Sequence, residues 1–194
     1  MAAFLGFGCG RLWALPPLAL WGFLLSFFRD PERVPPSDPS LMVSPADGLV
    51  TDIEEVEAPP FLGGRALKVG IFLSVFNVHV NRAPFNGKVA FLQHTDGKYL
   101  DARNPLSTKE NERHDLGMEL AGGGKILVRQ IAGAIARRIV CEAKEGQELA
   151  RGDRFGMIKF GSRTELYVPE GRFQVRVRVG ESVKGGESVM GSWS

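Results

Sequence analysis

The sequence is poor in the residues that hold metals or cross-link small domains. Its 194 residues include only two cysteines, Cys9 and Cys141, and three histidines, with no CxxC motif and no cysteine–histidine cluster. A disulfide framework and a structural zinc site are therefore not expected, and we predict no metal site. The formal net charge is only +2, far from the basic surplus that is typical of nucleic-acid-binding proteins.

Long apolar runs are also scarce, and only one suggests a membrane. Residues 1–28 carry a single charged side chain, Arg11, and residues 12–28 are apolar almost throughout. As a helix this run would be about 26 Å long, short of the roughly 30 Å hydrocarbon core, and Pro16–Pro17 interrupts it. We predict a hydrophobic membrane-associated segment over 1–28. A cleaved signal peptide and a hairpin packed on the protein are the alternatives.

The rest of the chain has the composition of a β protein. Residues 29–42 are proline-rich and are predicted to link the first segment to a folded domain at 43–194. The 24 glycines and 12 prolines of the chain favour short strands between turns. The predicted strands cover 48–56, 66–74, 87–93, 125–131, 136–143, 155–160, 165–168 and 173–179. Residues 101–115 are polar and are predicted to form a long loop with at most a helical turn.

Two sequence patterns occur twice in this domain. The spacing GxxΦxxGxxΦ (Φ, apolar) is found at 146–155 and 180–189, and PxxGxΦ is found at 45–50 and 84–89. This turn spacing resembles that of lipoyl and biotinyl carrier domains, so we predict a mainly β (α+β) fold of the barrel-sandwich type with pseudo-symmetric halves. The Met-Lys pair of a carrier hairpin is missing, and the pattern therefore indicates the fold and not a carrier function.

Three polar residues, each in a separate segment, are candidates for chemistry. The Ser162 hydroxyl could attack the carbonyl of Gly161, since glycine allows the strained geometry that such an attack needs. A serine hydroxyl is a weak nucleophile, so it requires a base. His79 is the candidate base, and Asp47 is the candidate acid that orients it. Each residue also has an ordinary interpretation as part of a turn.

Six segments of the chain occur together, in this order, in one family. They are FFRDPER (27–33), SPADG (44–48), FLSVFNVHVNRAP (72–84), NER (111–113), QIAGAIARRIV (130–140) and FGSRTELYVP (160–169). Over nearly its whole length the chain resembles the short, prokaryotic phosphatidylserine decarboxylase proenzymes. Long-form relatives have a further histidine where this chain has Phe76, and they have Leu-Gly-Ser-Thr at the cleavage site. Both departures fit the short subfamily.

The resemblance implies a self-cleaving enzyme. Ser162 would attack Gly161 with His79 and Asp47 as its partners, and the products would be a β chain of residues 1–161 and an α chain of residues 162–194 that stay associated. Ser162 would become a pyruvoyl group, which forms a Schiff base with phosphatidylserine and releases CO₂ to give phosphatidylethanolamine. The cofactor would come from the chain itself, with no metal required.

The resemblance also implies where the protein works and what it meets. A lipid substrate predicts a location at the cell membrane, peripheral or anchored by the N-terminal segment, on the cytoplasmic face. Homo-oligomerisation is left open, and no nucleic acid is expected. Five arginines are candidates for lipid phosphates: Arg29, Arg33, Arg82, Arg137 and Arg138. Two alternatives are a decarboxylase acting on archaetidylserine and a non-catalytic, membrane-tethered barrel-sandwich domain that binds lipid or protein.

Overall fold

The computed structural model describes residues 14–104, 106–134, 138–159 and 162–193. These ranges contain two helices, α1 (Leu15–Phe27) and α2 (Ser107–Glu110). Their strands are β1 (Leu41–Val43), β2 (Gly48–Glu57), β3 (Arg65–Leu73), β4 (Val80–Arg82), β5 (Gly87–Thr95), β6 (Arg113–Leu120), β7 (Lys125–Ile131), β8 (Ile139–Cys141), β9 (Glu148–Leu149), β10 (Arg154–Ile158), β11 (Ser162–Pro169), β12 (Phe173–Val175), β13 (Ser182–Val183) and β14 (Val189–Trp193). The prediction of a mainly β protein is confirmed.

One antiparallel sheet of eight strands dominates the fold. Its order is β13-β2-β3-β11-β7-β6-β5-β9, and two three-stranded sheets, β1-β14-β12 and β4-β10-β8, complete the structure. Strand β11 lies inside the large sheet and is paired on both sides. All eight of its residues are in register with β3, and Arg163–Tyr167 are also in register with β7.

The two faces of β11 have different surroundings because strand side chains alternate in direction. Leu166 and Val168 are fully buried in the main hydrophobic core. Ser162 has the same parity, so its side chain points to the core side. Glu165 and Tyr167 point to the opposite face, where Tyr167 joins a smaller apolar cluster.

Sequence patterns located eight of the fourteen strands in the described residues. The strands that they missed are β1, β4, β6, β9, β13 and β14. Residues 113–115, predicted to be loop, begin β6, where each pairs with a residue of β7. Strand β11 starts at Ser162, three residues before the predicted 165–168 segment. Strand β12 ends at Val175 although the alternating pattern continues to 179, because only 173–175 are in register with β14.

The two repeated patterns make equivalent backbone contacts. Their glycines have positive φ, which glycine adopts at little cost: Gly146 (85°), Gly152 (90°), Gly180 (88°) and Gly186 (80°). Strand β9 pairs with the start of β5, and β13 pairs with the start of β2. Val89 N–H donates to Gln147 O (2.8 Å), and in the other copy Val50 N–H donates to Glu181 O (2.9 Å).

Helix α1 lies largely outside the core. Five of its apolar side chains are more than half exposed: Leu15, Leu18, Leu20, Trp21 and Leu25. The helix begins at Leu15, so Pro16–Pro17 does not interrupt it as predicted. The two prolines fall in its first turn, where the missing N–H groups cost no hydrogen bond. Among the described residues no helix is long and apolar enough to cross a membrane. The part of the predicted segment before residue 14 lies outside the described residues.

Candidate active site

Strand register brings the predicted residues to one end of the large sheet. Strand β3 ends at Leu73, which is opposite Ser162, the first residue of β11. Strand β2, on the other side of β3, begins directly after Asp47 and runs antiparallel to β3. The starts of β2 and β11 are thus separated by two strand spacings, about 10 Å.

His79 lies at the end of the loop that leaves β3 beside Ser162. The loop opens with a tight turn in which Asn77 Oδ1 accepts hydrogen bonds from the Ser74 N–H (2.9 Å) and Oγ (2.7 Å). Past this turn, the His79 carbonyl accepts a hydrogen bond from the N–H of Ile158 (3.2 Å), the last residue of β10. Both ends of the 158–162 stretch are therefore fixed near this loop. The predicted cleavage residue Gly161 itself lies outside the described residues.

The His79 side chain is fully buried and oriented by a backbone group. Its Nδ1 is 2.9 Å from Asn77 O. A carbonyl oxygen accepts hydrogen bonds, so this contact assigns the hydrogen to Nδ1 and leaves Nε2 as the basic nitrogen. Burial lowers the pKa of His79 to about 4, which the Asn77 carbonyl opposes and the charge of Arg29 reinforces. The imidazole is therefore neutral at pH 7.

The Ser162 hydroxyl is fully buried, and among the described residues it has no hydrogen-bond partner. Two other buried atoms in the described ranges share this property, Gln130 Oε1 and His114 Nδ1. All three lie on the core side at the same end of the sheet. Thr164, two residues after Ser162 and on the same face, is opposite Gln130, and Gln130 is in turn opposite His114. Unsatisfied buried groups cost roughly 1–3 kcal/mol each, so their concentration here is typical of a functional site.

A buried polar network adjoins these atoms. Asn81 Nδ2 donates to Thr164 Oγ1 (3.1 Å), and Gln130 Nε2 donates to Asn81 Oδ1 (2.8 Å). Asn81 Nδ2 also lies 3.4 Å from Pro45 O, in the turn that carries Asp47. Sequence reasoning did not single out Asn81, Thr164 or Gln130. Their one sequence signal was membership in the segments HVNRAP, FGSRT and QIAG.

Asp47 is buried at the same sheet end, but its described hydrogen bonds go elsewhere. Oδ1 accepts from the Gly185 N–H (2.7 Å), and Oδ2 accepts from Arg33 Nη2 (2.9 Å). Arg33 also binds Glu187 (3.0 Å). Burial raises the pKa of Asp47, and the Gly185 N–H and Arg33 offset this in part. Thus it is the Asn77 carbonyl that bonds His79 Nδ1, while Asp47 is held by the N-terminal segment.

Residues 27–33, at the end of helix α1 and directly after it, make further contacts with the site. The Phe27 ring packs on the His79 imidazole with the ring centroids 4.3 Å apart. Arg29 Nη2 donates to Phe76 O (2.7 Å), and Asp30 accepts from Arg82 (2.8 Å). Three of the five candidate phosphate ligands, Arg29, Arg33 and Arg82, thus bind protein groups. Phosphate contact stays a prediction; Arg138 is exposed, and Arg137 lies outside the described residues.

An ion cluster fixes β11 immediately after Ser162 on the opposite face. Arg163 reaches across β3 to Asp52 of β2 (2.6 and 2.8 Å), and its Nε donates to the fully buried Glu165 (2.8 Å). Gly70 leaves the space for this crossing, since an added Cβ there would overlap the Arg163 guanidinium. A cavity of about 1030 Å³ opens on this face, and its lining includes Asp52 and Arg163 but none of the three predicted catalytic residues.

Comparison with known proteins gives a consistent result. The family model for phosphatidylserine decarboxylase matches residues 20–191. A protein of Pelobacter propionicus is 48% identical over 185 residues, 95% of this chain and 81% of the relative. A protein of Symbiobacterium thermophilum is 47% identical, covering 98% of this chain and 86% of the relative. One from Nitrosomonas europaea is 43% identical, covering 98% and 87%. All three are named phosphatidylserine decarboxylase proenzyme.

Proposed function

The chain belongs to the phosphatidylserine decarboxylase family, and from that premise we propose that it is a phosphatidylserine decarboxylase proenzyme that cleaves itself between Gly161 and Ser162. The observation that carries the site assignment is the fully buried Ser162 hydroxyl at the sheet end where the His79 loop begins. Cleavage gives a β chain of residues 1–161 and an α chain of residues 162–194. These stay together because β11 is paired with β-chain strands on both sides.

Self-cleavage uses only groups of the chain and water. Ser162 Oγ attacks the carbonyl carbon of Gly161 while its proton moves to His79 Nε2. The Gly161–Ser162 C–N bond breaks, the nitrogen takes up the proton, and an ester remains. The Ser162 α-proton passes to a base as the Cβ–Oγ bond breaks, so Gly161 keeps both oxygens as a carboxylate and residue 162 becomes dehydroalanine. Cβ then takes up a proton and becomes a methyl group, water replaces the nitrogen, which leaves as ammonia, and the α chain begins with a pyruvoyl group.

Burial, a backbone carbonyl and a carboxylate prepare the His79 base for this step. Burial keeps His79 neutral at pH 7, and the Asn77 carbonyl holds the tautomer in which Nε2 accepts the proton. We assign Asp47 the part of stabilising the imidazolium that forms. Its support is its position at the start of β2 and the charge of Arg29, which acts on both side chains. In this proposal the carboxylate acts through its charge and not through a hydrogen bond to the imidazole, since its described hydrogen bonds go to Gly185 and Arg33.

The surroundings of residue 162 fit a pyruvoyl group. The parent side chain is fully buried on the core side, next to a polar network with an unpaired acceptor at Gln130 Oε1. The group supplies a ketone that captures the amino group of the lipid and accepts the electron pair left when CO₂ departs. His79 is the residue we assign to return a proton to the former α-carbon of the substrate. Burial of the site keeps water away from that carbon.

Helix α1 gives the enzyme a route to its lipid. Its exposed side chains Leu15, Leu18, Trp21 and Leu25 form a charge-free apolar surface, which supports contact with the membrane. The end of this helix packs against the active site, so a lipid-bound helix brings the site to the bilayer surface. The matched contacts of the two repeated patterns support the barrel-sandwich arrangement for the catalytic domain.

Denaturing mass spectrometry of the folded protein tests the proposal. We expect two fragments, the smaller beginning at residue 162 with a ketone in place of its amine. Ser162→Ala should give one intact chain, whereas Ser107→Ala, which alters another fully buried serine, should cleave normally. Expression in a host without the native enzyme, followed by lipid analysis, separates phosphatidylserine from archaetidylserine as substrate. A single chain of full mass in the folded parent protein would rule out the self-cleaving enzyme.

A further inference from the structure

We propose that Phe27 is a positioning residue for self-cleavage, because its ring covers and fixes the His79 imidazole and so makes the end of helix α1 part of the active site. The inference rests on the proposed function for the role of His79 as base. The contact itself is independent of any cleavage.

Phe27 differs from every other residue of its helix. Within α1 it is the one buried side chain, with 1% exposure, whereas Leu25 and Trp21 are 65% and 66% exposed. Its ring is tilted by 34° against the imidazole at a centroid distance of 4.3 Å. An apolar helix that buries a single ring, and buries it on the candidate base, is not explained by core packing alone. The position of the helix end is therefore tied to the position of His79.

The residues that follow Phe27 bind three separate elements of the protein and so fix the position of the helix end. Arg29 bonds the carbonyl of Phe76 in the His79 loop (2.7 Å). Arg33 bonds Asp47 at the start of β2 (2.9 Å), with 9% and 11% of the two side chains exposed. Asp30 bonds the nearly buried Arg82 of β4 (2.8 Å). Because these partners belong to separate elements around the site, they set where the Phe27 ring comes to rest.

The ring determines the protonation of His79 by excluding water. Burial is the largest cause of the low pKa of His79, about 4 against an ordinary 6.5. Of the described residues, the Asn77 carbonyl on its own loop and the Arg29 guanidinium on the N-terminal segment also act on this pKa. Asp47 is bound to Arg33. Replacing the ring with a methyl group admits water, and the pKa then moves toward 6.5.

The first test follows the three histidines by NMR in the uncut Ser162→Ala chain. We expect a His79 titration midpoint near pH 4 in this background and in the matched control Leu20→Ala, which changes an exposed residue of the same helix. Phe27→Ala should move the midpoint toward 6.5, whereas Phe27→Leu should keep it low. If Phe27→Ala does not fold, Phe27→Val should shift the midpoint in the same direction by less. A midpoint that stays in place in the folded variants would overturn the proposal.

The second test measures the cleavage rate of chains that retain Ser162. The parent, Leu20→Ala and Phe27→Leu should each cleave at the same rate at pH 5.5 as at pH 7.5. Phe27→Ala should cleave about tenfold more slowly at pH 5.5 than at 7.5, because an imidazole with a pKa near 6.5 is mostly protonated at the lower pH. If Phe27→Ala slows cleavage by the same factor at both pH values, the role of Phe27 is merely structural and the proposal is overturned. A parent that never cleaves would contradict the proposed function instead, and the titration would still decide on Phe27.

Discussion

Replacing Arg163 with methionine should strongly destabilise the protein. Arg163 donates two hydrogen bonds to Asp52, one to Glu165 and one to Thr51, with 8% of its side chain exposed. Methionine has a similar length and fills the space, but it leaves two carboxylates without their main cation. Glu165 is fully buried, so its charge cannot be solvated in place.

The expected loss is about 3–5 kcal/mol, the range for removing one partner of a buried ion pair. For a domain whose free energy of unfolding is about 5–15 kcal/mol, such a variant remains measurable. Urea denaturation of the uncut Ser162→Ala chain is the assay, with Arg65→Met as the control. Arg65 pairs with Glu55 on the surface, 61% and 58% exposed, and its loss should cost less than about 1 kcal/mol.

A second substitution separates charge from packing. In the Arg163→Met background, Glu165→Gln removes one unpaired charge while keeping a side chain of the same size. We expect it to restore part of the lost free energy of unfolding, because the amide is cheaper to bury than the carboxylate. If Arg163→Met costs no more than Arg65→Met, or if Glu165→Gln lowers stability further, then the assignment of this cluster as a buried support of β11 is refuted.

Three further predictions concern the site and its surroundings. The folded pKa of His79, near 4, lies below its ordinary 6.5, so the unfolded chain binds more protons between these two pH values. In urea denaturation of the uncut chain, the free energy of unfolding should therefore fall by about 3 kcal/mol from pH 6.5 to pH 4. His79→Gln should remove that loss. Gly70→Ala should lower the thermal midpoint because a methyl group would displace the guanidinium that crosses there, whereas Gly122→Ala, which meets open space, should not. Arg33→Gln should slow self-cleavage more at pH 5 than at pH 8, since it removes a charge that lowers the pKa of Asp47; equal slowing at both would contradict this role.

Sequence patterns single out segments that meet at one end of the sheet, whereas the roles of Ser162, His79 and Asp47 in self-cleavage stay a prediction. Ser162, His79 and Asp47 each lie in a short segment shared with the family, and turns at strand ends then bring these segments together. Strand limits depend on distant partners. Alternation over 173–179 shows which residues face inward but not where a partner strand ends, so β12 is shorter than its pattern.

The contacts that orient the site could not have been predicted from local sequence. Nothing in the apolar run before residue 29 distinguishes Phe27 from Phe28, yet only the former is buried on His79. The Asn77 carbonyl is a backbone group, which carries no sequence signal. The partner of Asp47 depends on where a proline-rich segment returns to the domain, and this is set by ion pairs between residues far apart in the chain.

The interior position of β11 has a consequence for the life of the protein. Before cleavage, folding is a reaction of one molecule, and its yield does not depend on concentration. After the proposed cleavage, the same sheet would be an assembly of two polypeptides whose central strand starts at the cut. Once unfolded, such a protein would have to re-form by bimolecular encounter, so dilution would work against it. The proposed cleavage would thus make refolding depend on concentration, whereas the uncut chain folds as a single polypeptide.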